Sequence, residues 1–229
     1  MVLYPSENKN IIMMKLGDRE CWILMKKFGI EIPESEIARN EEQAVSLAKK
    51  LGFPLVLKIS SPDIIHRTDI GCVVMGINTL EDVKKVYKTI IDNAKKHHPH
   101  ARIDGVVVQK MLAGKHIREV IVGAKRDEQF GPVIMFGLGG IFVEIMKDVT
   151  FRLIPIQRKD AREMISEIKG FGLLQKVRNK KPVNFTALEN VLLKVSRLME
   201  RYEKIKELDI NPLMVDDKRA VAVDIRIIV

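Results

Sequence analysis

Cysteine, aromatic residues and long apolar runs are all scarce in this 229-residue chain, and each scarcity removes a class of protein. The two cysteines, Cys21 and Cys72, show neither metal-ligand spacing nor a disulfide framework, which suits a reducing cytoplasm. One Trp, three Tyr and eight Phe are too few for base-stacking platforms. No window approaches the apolar run of ~20 residues that spans a bilayer. The N-terminus, Met1-Val-Leu-Tyr-Pro-Ser-Glu-Asn, lacks a signal-peptide pattern. A Walker A sequence is absent, and Gly137-Leu-Gly-Gly is not a dinucleotide fingerprint because its third glycine is misplaced. Neither internal repeats nor low-complexity segments occur.

What is present is a chain 46% apolar and 30% charged, enough for one large domain or two small lobes. Its net charge of +9 suits nucleic acid, polyphosphate ligands or an acidic partner, and does not choose among them. Apolar positions at helical spacing predict helices over Met14–Phe28, Glu41–Leu51, Thr79–Lys96, Lys159–Ile168 and Phe185–Tyr202. Strands are expected at Pro54–Ile59, Gly71–Ile77, Gly105–Lys110, Glu119–Ala124, Pro132–Phe136 and Val149–Ile156, with Pro33 and Glu34 opening a short connection. This mixed order favours an α+β fold over a doubly wound parallel sheet. A boundary near Arg102 to Gly105 divides the chain into lobes 1–104 and 105–229.

The last twenty-odd residues read as a β-hairpin. If Asp216 to Arg219 form a four-residue turn, Val215 pairs with Ala220, and counting back sets Asn211 opposite Asp224. Opposed residues share a sheet face, and Asp209 shares it too because side chains alternate along a strand. Three oxygen-bearing side chains thus replace the valines of an ordinary core hairpin. They suit a hard cation such as Mg2+, which takes one or two protein oxygens and leaves room for phosphates, or a polar face wetted by solvent.

Other polar residues stand beside apolar strands. Lys58 ends one, where an ammonium faces a cleft, meets an anion such as phosphate, or snorkels to water. His66-Arg67-Thr68-Asp69-Ile70-Gly71 offers an imidazole, a guanidinium fork and a hydroxyl within one loop, the groups that handle phosphate. Gln109 follows an apolar strand at the lobe junction, where backbone groups can read an adenine edge, and Glu119 can accept from ribose hydroxyls. Both are equally ordinary strand-end residues. The Gly137 turn brings amides near phosphate or is simply tight. His97-His98-Pro-His100 reads as a solvated loop after a helix.

These pieces together resemble a family. Phe53-Pro-Leu-Val-Leu-Lys-Ile and His66-Arg-Thr-Asp-Ile-Gly are similar to the first lobe of an ATP-grasp domain, and the block from Arg118 to Glu144 is similar to its second lobe. With Glu207-Leu-Asp-Ile-Asn-Pro-Leu, the chain resembles the β subunits of ADP-forming acetyl-CoA synthetases (acetate–CoA ligases), relatives of succinyl-CoA synthetase, from about Leu16 to Ile227. The resemblance implies a nucleotide held between two lobes and interconversion of acyl-CoA, ADP and phosphate with free acid, CoA and ATP. It implies His66 as a phosphohistidine, Lys58, Arg67 and the backbone around Thr68 on phosphates, Gln109 and Leu112 at the adenine hinge, and Glu119 toward the ribose. Asn211 and Asp224 would hold Mg2+, with Asp209 behind them or as an alternative ligand. A CoA-binding α subunit carrying the main phosphohistidine is implied as partner, in an α2β2 heterotetramer, with neither nucleic acid nor membrane. Two departures stand out: Cys72 replaces a second glycine common in relatives, and Lys115-His-Ile-Arg replaces a glycine-richer lead-in to Glu119. An ATP-grasp carboxylate ligase, a nucleotide-binding regulatory subunit and a basic nucleic-acid-binding module are the competing readings.

Overall fold

A computed structural model describes residues 14–112, 114, 116–140, 148–176 and 181–229. Residues 141–144 of the family-like block lie outside the described residues. Two antiparallel sheets organise the chain. The first has the order β1-β4-β2-β3, built from β1 (Ser35–Ala38), β2 (Leu55–Ser60), β3 (Val73–Ile77) and β4 (Gly105–Lys110). Helices α2 (Glu41–Leu51) and α3 (Leu80–His97) cover one face of it. Both start where a side chain satisfies an otherwise unpaired amide: Asn40 accepts from Gln43 N and Thr79 from Asp82 N. Leu55, Leu57 and Ile59 alternate with Val56, Lys58 and Ser60, so the first set meets Ala44, Ala48, Val83 and Ile90 in the core while the second faces away.

The second sheet runs β10-β8-β5-β6-β7, with β5 (Arg118–Asp127), β6 (Gly131–Leu138), β7 (Val149–Leu153), β8 (Glu207–Val215) and β10 (Ile225–Ile228). A short β9 (Ala220–Ala222) extends the hairpin from β8. Helices α4 (Arg158–Glu167) and α5 (Phe185–Arg201) pack on its core face through residues such as Met164, Leu188, Leu192 and Val195 against Val122, Ile134 and Phe136. Helix α1 (Asp18–Lys27) joins this same core by burying Cys21 and Met25.

Three expectations are corrected here. The first helix begins at Asp18 and not at Met14, because Lys15 forms a β-bridge with Ile228. The connection after Pro33 contains a strand, since Ser35 to Ala38 pair with Gln109 to Val106. The division at 104/105 does not match the strand pairing: β4 belongs to the first sheet, so the change of sheet falls between Lys110 and Arg118, and α1 lies with the second core.

Candidate functional site

The hairpin forms with the counted register. Val215 pairs with Ala220 and Leu213 with Ala222, and beyond the turn Ile210 pairs with Ile225 and Asp209 with Arg226. Asn211 N donates to Asp224 O at 3.0 Å, which places those two residues opposite each other. Asn211 is exposed and Asp209 and Asp224 half-buried, while Leu208 and Ile210 before Asn211-Pro212, and Leu213 and Val215 after it, fill the core, the alternation shifting by one residue where the β8–β5 pairing is irregular. Burial pushes the Asp209 carboxyl up to about 6, with Glu207 and Asp224 adding to the effect and Arg226 opposing it.

Lys58 meets this hairpin across the lobes. It lies in β2 opposite Val73 and Val107, on the face turned away from the first core, and only 4% of it is exposed. Its Nζ donates to Asp224 Oδ1 at 3.1 Å and to Val223 O at 3.2 Å. The buried ammonium therefore meets an anion, which compensates a desolvation cost of several kcal/mol. Burial works against ionisation of Asp224, yet the Lys58 and Arg67 charges and the Lys58 hydrogen bond hold its carboxyl below the usual range.

The loop after β2 puts His66 at the surface, its side chain 82% exposed and its Nδ1 3.8 Å from Asp69 Oδ2. Thr68 is exposed as well, and its carbonyl accepts from Gly71 N at 3.0 Å. Arg67 departs from the expectation of an open phosphate fork. It is 6% exposed, and its Nη1 donates to Asp18 Oδ1 at 2.9 Å. Burial opposes its charge, but Asp18 and Asp224 outweigh that and raise its pKa. Nothing in the sequence signalled Asp18, a first-turn acid of α1 that lies 49 positions away. Asp18 Oδ2 also accepts from Ser60 Oγ at 2.7 Å.

Gln109 shares the Lys58 face through its pairing with Val56, is 2% exposed, and its Oε1 has no hydrogen-bond partner. An orphaned acceptor in so buried a place costs about 1–3 kcal/mol unless a ligand completes it. Leu112 follows half-buried beyond β4. Glu119 is exposed on β5, and its carbonyl accepts from Gly139 N at 2.8 Å. A Cβ at Gly139 would stand 2.9 Å from the Glu119 carbonyl carbon, so this glycine permits the close backbone approach. A separate groove of about 1180 Å3 runs between α1, β1 and residues 102–105, and none of the predicted site residues line it. Ion pairs on its walls join Lys50 to Glu36 and Arg102 to Asp104.

A family model described as an ATP-grasp domain matches residues 13–229. The β subunit of acetate–CoA ligase [ADP-forming] I from Pyrococcus furiosus is 48% identical over 223 residues, covering 97% of this chain and 93% of that one. The chain belongs to the ATP-grasp family, in the branch of the ADP-forming acetate–CoA ligase β subunits. The 4-hydroxybutyrate–CoA ligase [ADP-forming] of Nitrosopumilus maritimus is 45% identical over 89% of this chain, a match that takes up 29% of that longer protein. Among solved structures, acetyl-coenzyme A synthetase 1 of Ca. Korarchaeum cryptofilum, in complex with coenzyme A and Ca-AMPCP, superposes with a TM-score of 0.90 at 40% identity, covering 94% of this chain and 93% of that one. The α+β fold of two antiparallel sheets is thus the ATP-grasp fold, and the relatives compared are ADP-forming ligases, in one case a β subunit and in another a longer protein.

Proposed function

We propose that this chain is the nucleotide-handling β subunit of an ADP-forming acyl-CoA synthetase, interconverting acyl-CoA, ADP and phosphate with free acid, CoA and ATP. The observation that carries the reading is the contact of buried Lys58 with Asp224 between the lobes, on the strand face that also holds the unpartnered Gln109 Oε1. Lys58 and the amides around Thr68 bind the phosphates, Gln109 and Leu112 border the adenine, and Glu119 accepts from the ribose. Arg67 serves as the buried anchor of the loop that carries His66.

The hairpin fits a hard cation by its chemistry, since Asn211, Asp224 and Asp209 each offer an oxygen ligand. Among the described residues no group of three or more His, Cys, Asp and Glu gathers; an ion held at the hairpin would complete its shell with water and phosphate. Mg2+ bound there would neutralise phosphate charge, the main demand of phosphoryl transfer. His66 supplies the nucleophile. A neutral ring nitrogen attacks the γ-phosphorus in line, an N–P bond forms, and the bond from that phosphorus to the β–γ bridging oxygen breaks as ADP leaves with the electron pair. The ring proton passes to solvent, and the reverse sequence makes ATP.

A partner subunit would supply CoA binding, the acyl site and the histidine that exchanges its phosphoryl group with His66, in an α2β2 assembly. The longer relative, of which this chain matches 29%, supports that division of labour. To test it, the chain copurified with its partner is given acetyl-CoA, ADP, phosphate and Mg2+, and ATP is measured. ATP formed by the complex and not by the chain alone is expected. Mg-nucleotide binding without turnover by the complex would favour a regulatory subunit, and amine-dependent turnover would favour a carboxylate ligase.

A further inference from the structure

The loop that carries His66 is gripped by residues anchored in the opposite core. Lys15 forms a β-bridge with Ile228, Leu16 N donates to Ile227 O at 2.9 Å, and α1 buries Cys21 and Met25 against the second sheet. The side chains of this segment nevertheless reach into the first lobe. Lys15 Nζ donates to Ser61 O at 3.1 Å and to Ile64 O at 2.9 Å. Asp18 takes Ser60 Oγ with one oxygen and Arg67 with the other. Ile64 and Arg67, on either side of the apex, are 0% and 6% exposed, whereas Ile65 between them is 52% exposed and the His66 side chain 82%. On the return side Cys72 N donates to Arg67 O at 2.8 Å and Asn93 Nδ2 to Gly71 O at 3.0 Å. Ile65 and His66 thus project from a base fixed on both sides.

We propose that Lys15 and Asp18 are positioning residues for phosphoryl transfer, fixing the base of the 61–72 loop so that the His66 ring is held for in-line attack. The proposal rests on the reading of His66 as phosphoryl acceptor. Its physical ground is that a buried guanidinium without its carboxylate must leave its site or carry an uncompensated charge. Arg67 is the immediate neighbour of His66, so any such movement displaces the imidazole. In-line transfer is sensitive to displacement, and a misplacement of ~1 Å costs on the order of 100-fold in rate. Because Lys15 and Asp18 are rooted in the second core, they also tie the placement of His66 to the arrangement of the two lobes.

The test uses the chain copurified with its partner, Mg2+ and γ-labelled ATP, comparing wild type with Asp18→Asn and Lys15→Met. Rapid quenching gives the rate of acid-labile label formation, titration calorimetry gives Mg-ADP affinity, and amide exchange reports on residues 61–72. The expected result is a label-forming rate about 10- to 100-fold lower, a much smaller fall in Mg-ADP affinity through the amides around Thr68, and faster exchange confined to the loop. The two substitutions together should cost less than the product of their separate effects, because they act on one loop. An unchanged rate in both variants overturns the proposal, and so does a parallel loss of rate, affinity and melting temperature, which would assign the two residues to general stability. Should Asp18→Asn fail to fold, Lys15→Met decides alone by the same criteria. His66→Ala is run alongside: label undiminished in that variant removes the His66 reading itself, whereas His66-dependent label with wild-type rates in the other two variants removes only the positioning role.

Discussion

Replacing the two partners of the Lys58–Asp224 contact should have unequal effects on stability. The Lys58 side chain is 5% exposed and that of Asp224 43%. Asp224→Ala leaves the ammonium buried with Val223 O as its sole acceptor among the described residues. A hydrogen bond to a charged group contributes about 1.5–3 kcal/mol, and the partial exposure of Asp224 places the loss toward the low end, about 2 kcal/mol. For a chain of this size that is a fall in Tm of roughly 4–8 °C. Lys58→Met instead removes the buried charge, keeps most of the packing of the stem, and leaves a carboxylate that water can reach, so its cost should stay within about 1 kcal/mol. The function should split the other way, with Lys58→Met losing Mg-ADP affinity while remaining folded. Calorimetric melting of the metal-free, nucleotide-free proteins, followed by nucleotide titration, measures both. A Lys58→Met protein that melts as low as Asp224→Ala, or lower, would contradict a buried charge stabilised chiefly by Asp224.

Three further outcomes follow from the same geometry. Gln109→Leu removes an orphaned acceptor, so the unliganded protein should gain up to about 1 kcal/mol in urea unfolding, while Mg-ADP affinity falls if the carboxamide meets the base. Asp224, held below its ordinary value of 3.8, contributes stability above that pH and loses it as pH falls through its folded-state pKa; the stability gap between wild type and Asp224→Ala should therefore narrow below pH 3.8. Lys15, lowered by burial first and by Arg67 next from 10.5 to about 8, is held protonated at a cost below pH 8. Between those two values the unfolded chain binds the extra proton, so stability should rise with pH by at most about 3 kcal/mol, and urea midpoints of Lys15→Met should lack that increment.

The parts of this structure written in short-range pattern were legible in the sequence. The hairpin is the clearest case, because alternation and a four-residue turn fix which residues oppose, and Asn211 and Asp224 met as counted. The helices over Glu41–Leu51 and Leu80–His97 carried their caps and acidic first turns in plain view. Strand β1 did not, since Ser35-Glu36-Ile37-Ala38 has little apolar alternation and forms because β4 offers it a partner. Gly105 suggested a boundary between lobes, yet its φ of +143° and the 2.3 Å that a Cβ would have from Ala38 O mark the close approach of β1 and β4 inside one sheet. Site residues on strands could be placed by register. Arg67 could not, because what decides its role is Asp18, and a pairing over 49 positions leaves no local trace.

In the proposed function, phosphate passes between nucleotide and partner through His66. That transfer is tested most directly by incubating the copurified complex with γ-labelled ATP and Mg2+ and following acid-labile, base-stable label on each subunit, in wild type and in His66→Ala. Label on the partner that depends on His66 is expected. Label that reaches the partner equally well in His66→Ala would contradict that dependence.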